Sequence, residues 1–160
     1  SNTTARTLEV AGELIGAGVE PHLVFQNVYQ CDSLPYLRLS GEILCRAVFD
    51  KEFAMVYAFL SREDLERFGV RMNETEDLID NLRALRGHRI AALFKQLEDG
   101  TIRVSLRSRP QTDIGSVARA LGGGGHTVAA GYTSAKREFA GALAELRKEI
   151  VARGCGCACG

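Results

Sequence analysis

Two runs of strand-forming residues joined by a short turn constrain the fold of this chain more than any other feature of its sequence. The runs cover Ile90 to Leu97 and Thr101 to Arg109, and Glu98-Asp99-Gly100 lies between them. Asp-Gly between two such runs is typical of a β-hairpin, because glycine readily adopts the positive φ that a tight turn requires. The sequence therefore predicts a sheet with an antiparallel pair near the middle of the chain.

Helical and strand patterns alternate around this hairpin. Three helical segments are predicted before residue 50, and the packed face of the third consists of Leu34, Leu37, Gly41, Leu44 and Val48. After them the predicted order is β-α-α-β-β-α-β-α, beginning with a buried strand at Phe53 to Leu60. Ser61, with Asp64 three residues on, is the predicted cap of the helix that follows this strand. This order predicts an α/β fold, a mixed β-sheet flanked by helices and preceded by a helical connector. The predicted boundaries are 1–50 for the connector, 51–153 for the main domain and 154–160 for a flexible tail.

Composition and charge exclude several classes of protein. A chain of 160 residues makes one domain, or one domain with a short attachment. Its 20 Lys and Arg balance 20 Asp and Glu, which excludes a general electrostatic coat for DNA but not a small basic pocket. The longest apolar run is strand-sized, below the roughly 18 residues of a membrane span, and no signal-peptide pattern opens the sequence. We therefore expect no membrane association.

The cysteines indicate a reducing compartment. There are five, an odd number, and none lies between Cys45 and Cys155, which is not a disulfide framework. We therefore expect a cytoplasmic protein. Cysteines alternate with small residues over 154–160, and such thiolates could bind a soft metal, but the second ligand pair of a structural zinc site is lacking.

The second strand of the hairpin carries a row of basic and hydroxyl side chains. Because side chains alternate across a strand, one face is predicted to carry Arg103, Ser105, Arg107 and Arg109. Neighbours on that face stand about 6.6 Å apart, close to the spacing of phosphates along a single nucleic-acid strand. Guanidinium groups bind phosphate through forked, charge-assisted hydrogen bonds. The alternative is an ordinary solvent-facing side of an antiparallel sheet.

A run of four glycines, Gly122–Gly125, precedes His126. Gly122 is enough to end the preceding helix, for which Thr112 is the predicted N-cap and Asp113 the first helical residue. The remaining glycines predict a loop whose backbone N–H groups bind an anion, and a short helix beginning near His126 would add a favourable dipole. The alternative is a flexible linker with a surface histidine.

No catalytic centre is evident in the sequence. The three histidines form no cluster with carboxylates at metal-ligand spacing, and neither a nucleophile–base pair nor a Gly-x-Ser-x-Gly motif occurs. The sequence thus predicts phosphate recognition without the groups that would cleave a phosphate ester.

Three motifs, spaced as they are here, resemble a known family: Ser105-Leu-Arg-Ser108, Gly122-Gly-Gly-Gly-His126 and Ala129-Ala-Gly131. Over roughly residues 1–150 the chain resembles the C-terminal, DHH-associated domain of DHH phosphoesterases, in particular the NrnA-type bifunctional oligoribonucleases and pAp phosphatases. The helical opening resembles the connector that follows the catalytic domain in that type.

The resemblance implies a division of labour between two domains. An N-terminal DHH catalytic domain would hold two manganese ions that activate a water molecule, while this domain would bind short single-stranded RNA or nucleotide phosphates. No Asp-His-His signature occurs in this chain, so we expect it to be inactive alone; a homodimer is compatible with the sequence. The substrate-binding residues that the resemblance implies, with their neighbours, are Arg107, Gly123, Gly124, Gly125, His126, Ser105 and Arg109.

Two alternatives stay open. A related domain ends alanyl-tRNA synthetases, where it binds tRNA and hydrolyses nothing, but that version typically has other residues where this chain has His126. A third interpretation is an interaction domain that holds an oligomer together, in which the arginine row is incidental. An Asp-His-His signature upstream in the parent gene would discriminate among the three.

Overall fold

The computed structural model describes residues 3–155. Its helices are α1 (Ala5–Gly16), α2 (Pro21–Tyr29), α3 (Leu34–Cys45), α4 (Arg62–Phe68), α5 (Leu78–Leu82), α6 (Ile114–Ala120) and α7 (Phe139–Ala152), with a 3-10 helix at Met72–Thr75. Its strands are β1 (Val48–Asp50), β2 (Met55–Leu60), β3 (Ile90–Gln96), β4 (Ile102–Ser108), β5 (Gly124–His126) and β6 (Ala129–Ser134). Residues 156–160 of the predicted flexible tail, with Cys157 and Cys159, lie outside the described residues.

The strands form one six-stranded sheet in the order β1-β2-β3-β4-β6-β5. Strands β2 and β3 are parallel, connected through α4, the 3-10 helix and α5, and the other neighbours are antiparallel. The mixed sheet with flanking helices confirms the predicted fold class. The predicted hairpin is β3–β4, and Gly100 has φ +81° in its turn.

The two faces of the sheet are covered differently. One face carries the apolar side chains of β2, β3, β4 and β6, which pack with α6 and α7 around Phe94 and Leu146. On the other face, the side chains of β2 and β3 pack with α3, α4 and α5 around Leu39, Leu78 and Leu93. The β4, β6 and β5 part of this second face carries polar and small side chains instead, and it is where the candidate site lies.

Several local predictions were wrong. Val48 lies in β1 and the glycine run continues into β5, so two short strands were missed and no helix begins near His126. Helix α3 packs through its other face: Tyr36, Leu39 and Ile43 are buried, whereas Leu34, Leu37 and Leu44 are exposed. Both faces of α3 are apolar at helical spacing, so periodicity alone could not select between them.

Helix α6 begins one residue later than predicted. Asp113 is its N-cap, because its carboxylate accepts a hydrogen bond from the Ser116 N–H at 3.1 Å, while Thr112 is buried before it. The predicted end of this helix is confirmed, since Gly122 has φ +79° directly after the C-cap residue Leu121.

The described residues divide into two compact units, 3–34 and 35–155. The first contains α1, which begins with a capping box at Thr4, and α2, which has Pro21 in its first turn; neither helix buries a side chain. The second contains the sheet and α3 to α7 apart from Leu34. No helix within residues 3–155 is long and apolar enough to cross a bilayer.

Candidate functional site

A cavity of about 560 Å³ lies on the β4–β6–β5 part of the sheet. The strand register explains its lining, because residues opposite one another share a face. Arg103 lies opposite Thr133, Ser105 opposite Gly131, and Gly131 in turn opposite Gly124. The cavity is lined by Glu76, Arg103, Ser105, Arg107, Gly122, Gly123, Gly124, Ala129, Ala130, Gly131, Tyr132 and Thr133.

Residues without large side chains leave a depression in the middle of this surface. Gly131 lies between Ser105 on one side and Gly124 on the other, and a Cβ on Gly131 would come within 2.9 Å of the Val104 carbonyl oxygen. A Cβ on Gly124 would point into open space. A ligand can therefore approach the backbone at Gly124, where any larger side chain would occupy the cavity.

The other glycines of the run have structural roles. A Cβ on Gly123 would overlap the Gly131 carbonyl oxygen, and a Cβ on Gly125, which has φ +131°, would lie 2.5 Å from the Ala129 carbonyl oxygen. The Gly123 N–H donates a hydrogen bond to the Ala118 carbonyl at 2.8 Å. This donor therefore serves the end of α6 and is not free for an anion, while anion binding by the other N–H groups of the run stays a prediction.

Two arginines give the cavity its positive charge. Arg103 is exposed and Arg107 half-buried, and their side chains alternate with the buried Val104 and Leu106, as predicted. Among residues 3–155 neither guanidinium forms an ion pair within 4.0 Å; the Arg107 Nη1 donates to the Leu106 carbonyl at 3.1 Å. Such groups can rearrange to bind an anion without first losing an ionic partner.

A buried lysine holds the one carboxylate of the cavity. Lys95 lies opposite Arg103 in β3, and its Nζ donates to Glu76 Oε1 at 3.0 Å. Burial lowers the pKa of the Lys95 ammonium below its usual value. Burial alone would raise the pKa of Glu76, but the hydrogen bond and charge of Lys95, with the charges of Arg103 and Arg107, hold it below its usual range. Glu76 is therefore ionised at neutral pH.

Four of the seven predicted site residues line the cavity and three do not. Ser105, Arg107, Gly123 and Gly124 line the cavity, whereas the remaining three do not: Gly125, His126 and Arg109. His126 is exposed on β5, opposite Ala129, which is itself opposite Arg107, so it lies at the rim on the same face. Arg109 follows β4 and is exposed beyond its end.

Sequence reasoning missed Glu76 and Lys95. The sequence held a signal for the lysine. Lys95 is the one charged residue within the apolar run Ile90–Gln96, and strand alternation puts it on the same face as Ala91 and Leu93. A lysine in a buried strand requires polar partners. Which carboxylate would provide them could not be read from the sequence, where Glu76 lies 19 residues away.

The residues of the cavity do not fit a divalent cation. Its two arginines would repel the ion, and its one carboxylate already accepts from Lys95. Within residues 3–155 no group of three or more His, Cys, Asp or Glu side chains could hold a metal. The arrangement suits an anion with hydrogen-bonding groups.

The fold and this surface define an α/β domain with a cationic, glycine-lined cavity on one sheet face. The family model of the DHHA1 domain matches residues 52–152, and the chain belongs to this family, which confirms the resemblance. The chain is similar to the bifunctional oligoribonuclease and PAP phosphatase NrnA of Bacillus subtilis, with 35% identity over 130 residues, 81% of this chain and 40% of that protein. For NrnA of Thermus thermophilus the identity is 33% over 133 residues, 83% of this chain and 39% of that protein.

Solved structures support the fold. An exopolyphosphatase-related protein from Bacteroides fragilis superposes with a TM-score of 0.86 at 19% identity, over 94% of this chain and 44% of that one. The pGpG-specific phosphodiesterase PggH from Vibrio cholerae has a TM-score of 0.55 at 15% identity, over 94% of this chain and 52% of that one. The chain spans about 40% of the length of the curated relatives it matches.

Proposed function

We propose that this chain is the substrate-binding part of a phosphoesterase that hydrolyses short oligoribonucleotides and nucleotide phosphates such as pAp. The observation that carries the proposal is the cationic cavity of Arg103 and Arg107, open at Gly124, in a chain about one-third identical to NrnA proteins. Those relatives are named as oligoribonucleases and PAP phosphatases, and the substrates of both activities are phosphate esters of nucleosides.

In this proposal the arginines of β4 bind phosphate, and the small residues beside them let the nucleotide approach the sheet closely. Ser105 lies between Arg103 and Arg107, about 6.6 Å from each along the strand, and offers a hydroxyl hydrogen bond. The two long side chains can therefore converge on one phosphate above Ser105, or each can bind a phosphate of its own. His126 on the rim would add a further contact once a ligand is bound.

Hydrolysis is assigned to a separate DHH catalytic domain, which is expected to hold manganese. Manganese there would supply an activated water; the residues of this chain would bind the substrate and orient its phosphate. Such positioning matters because small displacements of reacting groups cost large factors in rate. The cytoplasmic location and a homodimer stay predictions.

The test is a titration of this chain, labelled with ¹⁵N, with pAp and with a 5′-phosphorylated diadenylate. We expect saturable shifts of the amide signals of Ser105, Gly124 and Gly131, with weak affinity, in the millimolar to micromolar range of about 4–8 kcal/mol. Shifts elsewhere, or none, would contradict the proposal. Binding of folded tRNA without binding of either small ligand would favour the alanyl-tRNA synthetase alternative.

A further inference from the structure

The Glu76 carboxylate is fixed in place by a buried cation. Lys95 is 1% exposed, and its Nζ donates to the Thr75 carbonyl at 3.1 Å, to the Thr75 hydroxyl at 3.2 Å and to Glu76 Oε1 at 3.0 Å. An ammonium has three donors, so Lys95 has none left for a ligand. Its role is to hold the end of the 3-10 helix, and with it Glu76, against the sheet.

Glu76 is positioned to accept a hydrogen bond. Its side chain is 58% exposed and lines the cavity beside the arginines. Within the described part of the chain no hydrogen bond reaches its second oxygen, Oε2. An ionised carboxylate only accepts hydrogen bonds and repels phosphate. The part of a ligand that faces Glu76 must therefore be a neutral donor, next to the phosphate that the arginines attract.

The position of Glu76 along the strands favours a sugar hydroxyl over a base. Glu76 is anchored by Lys95, which lies opposite Arg103, whereas Gly124 lies at the level of Ser105, two residues further along β4. A phosphate bound above Ser105, at the level of Gly124, thus has the anchor of Glu76 about 6.6 Å away along the strand direction. In a nucleotide the sugar follows the phosphate directly and the pairing edge of the base lies further out. Carboxylates bind ribose hydroxyls in this way in dinucleotide sites.

We propose that Glu76, held by Lys95, accepts a hydrogen bond from a ribose 2′-hydroxyl and makes the cavity select ribonucleotides over deoxyribonucleotides. This inference rests on the proposed binding of a nucleotide phosphate in the same cavity. A 2′-hydroxyl is the group by which a protein distinguishes RNA from DNA at a given site. A 2′-deoxy ligand lacks this donor, so the Glu76 carboxylate would repel the bound phosphate without receiving a hydrogen bond from the sugar.

The test compares 5′-phosphorylated diadenylate with its 2′-deoxy counterpart, two ligands of equal charge, by calorimetry on this chain. We expect wild type to bind the ribonucleotide at least about 10-fold more tightly, as a hydrogen bond to a charged group implies. In Glu76→Ala the ratio of the two affinities should fall close to one. Both ligands gain equally when the repulsion between the carboxylate and the phosphate is removed, so the change in the ratio reports the hydroxyl contact alone. Lys95→Met, which frees Glu76, should also lower the ratio.

Glu74→Ala is the matched control, because Glu74 pairs with Arg71 and does not line the cavity; it should keep the wild-type ratio. If Lys95→Met does not fold, Glu76→Ala and Glu74→Ala still decide. Equal affinity of wild type for the ribonucleotide and the deoxyribonucleotide would overturn the inference. If Arg107→Ala then bound neither ligand, the proposed function would still stand. A change of preference between adenine and guanine ligands in Glu76→Ala, with the sugar preference kept, would also overturn it. No binding of either ligand by wild type would overturn both proposals.

Discussion

We expect Arg107 to contribute little to folding and, in the proposed function, much to binding. It is half-buried, without an ionic partner within 4.0 Å among residues 3–155, and its guanidinium donates only to the carbonyl of its neighbour Leu106. We expect Arg107→Ala to weaken binding of pAp by about 1.5–3 kcal/mol, the range for hydrogen bonds to charged groups. Arg107→Lys should lose nearly as much, because lysine lacks the planar fork. Calorimetry measures the affinity.

Arg109→Ala is the control for this prediction, because Arg109 is exposed beyond the end of β4 and does not line the cavity. The free energy of unfolding should change by less than about 0.5 kcal/mol in all three variants, as for most surface substitutions. An unchanged affinity in Arg107→Ala would mean that the row is only the solvent-facing side of a sheet.

At the scale of single elements, the glycines in and beside β5 should separate into two classes. Gly123→Ala and Gly125→Ala should lower the free energy of unfolding by about 1–3 kcal/mol, because each Cβ would overlap the backbone of β6 and the strands must move apart. Gly124→Val should leave stability nearly unchanged, since its Cβ meets nothing within 4 Å, yet abolish ligand binding by filling the cavity. Urea unfolding and calorimetry on the same variants measure both quantities. Equal stability of all three variants would show that β5 is only a linker.

Helix α4 should make the fold sensitive to acid. Ser61 and Asp64 form its capping box, as the sequence predicts, and Asp64 Oδ1 accepts from Arg46 at 2.8 Å. Burial alone would raise the pKa of Asp64, but the hydrogen bonds from Ser61 and Arg46 outweigh it and lower the pKa. The stability that the ionised carboxylate contributes is therefore present above its unfolded pKa of about 3.9 and is lost as the pH falls through the lower folded pKa.

We expect Asp64→Asn to reduce the free energy of unfolding by about 1–3 kcal/mol at pH 7 and to flatten its decline below about pH 4. Denaturant unfolding over a pH series measures this. Asp80→Asn is the control, because Asp80 pairs with the exposed Arg83, and such surface pairs contribute about 0–1 kcal/mol. An acid profile of Asp64→Asn parallel to that of wild type would contradict the prediction.

For the chain as a whole we expect binding without hydrolysis. Incubation of this chain with manganese and either pAp or a short oligoribonucleotide should yield no product, because its cavity is cationic and no group of metal-ligating side chains occurs within residues 3–155. Chromatography of the nucleotides measures the outcome. Manganese-dependent product that persists through repurification and falls in Arg107→Ala would contradict the prediction, whereas activity indifferent to Arg107→Ala would indicate a contaminant.

Features set by neighbouring residues could be predicted from the sequence. The hairpin at Asp99-Gly100, the capping box of Ser61 and Asp64, and the alternation of Arg103 and Arg107 with buried apolar residues follow from turn chemistry, capping and strand geometry. The glycine–histidine motif also pointed to the family that the comparison shows. These features require no knowledge of which elements meet.

Tertiary packing determined the features that depend on contacts between residues far apart in the sequence. The sheet selects the buried face of α3, because either face would bury apolar residues, and β6 makes a strand of Gly124–His126, whose composition favours a loop. The pairing of Lys95 with Glu76 exists only because the connection between β2 and β3 returns over the sheet and brings the end of the 3-10 helix against β3. That connection covers β2 and β3 and leaves β4, β6 and β5 open. Local chemistry thus identifies residues able to bind a phosphate, while the packing of distant elements determines where a ligand can reach them.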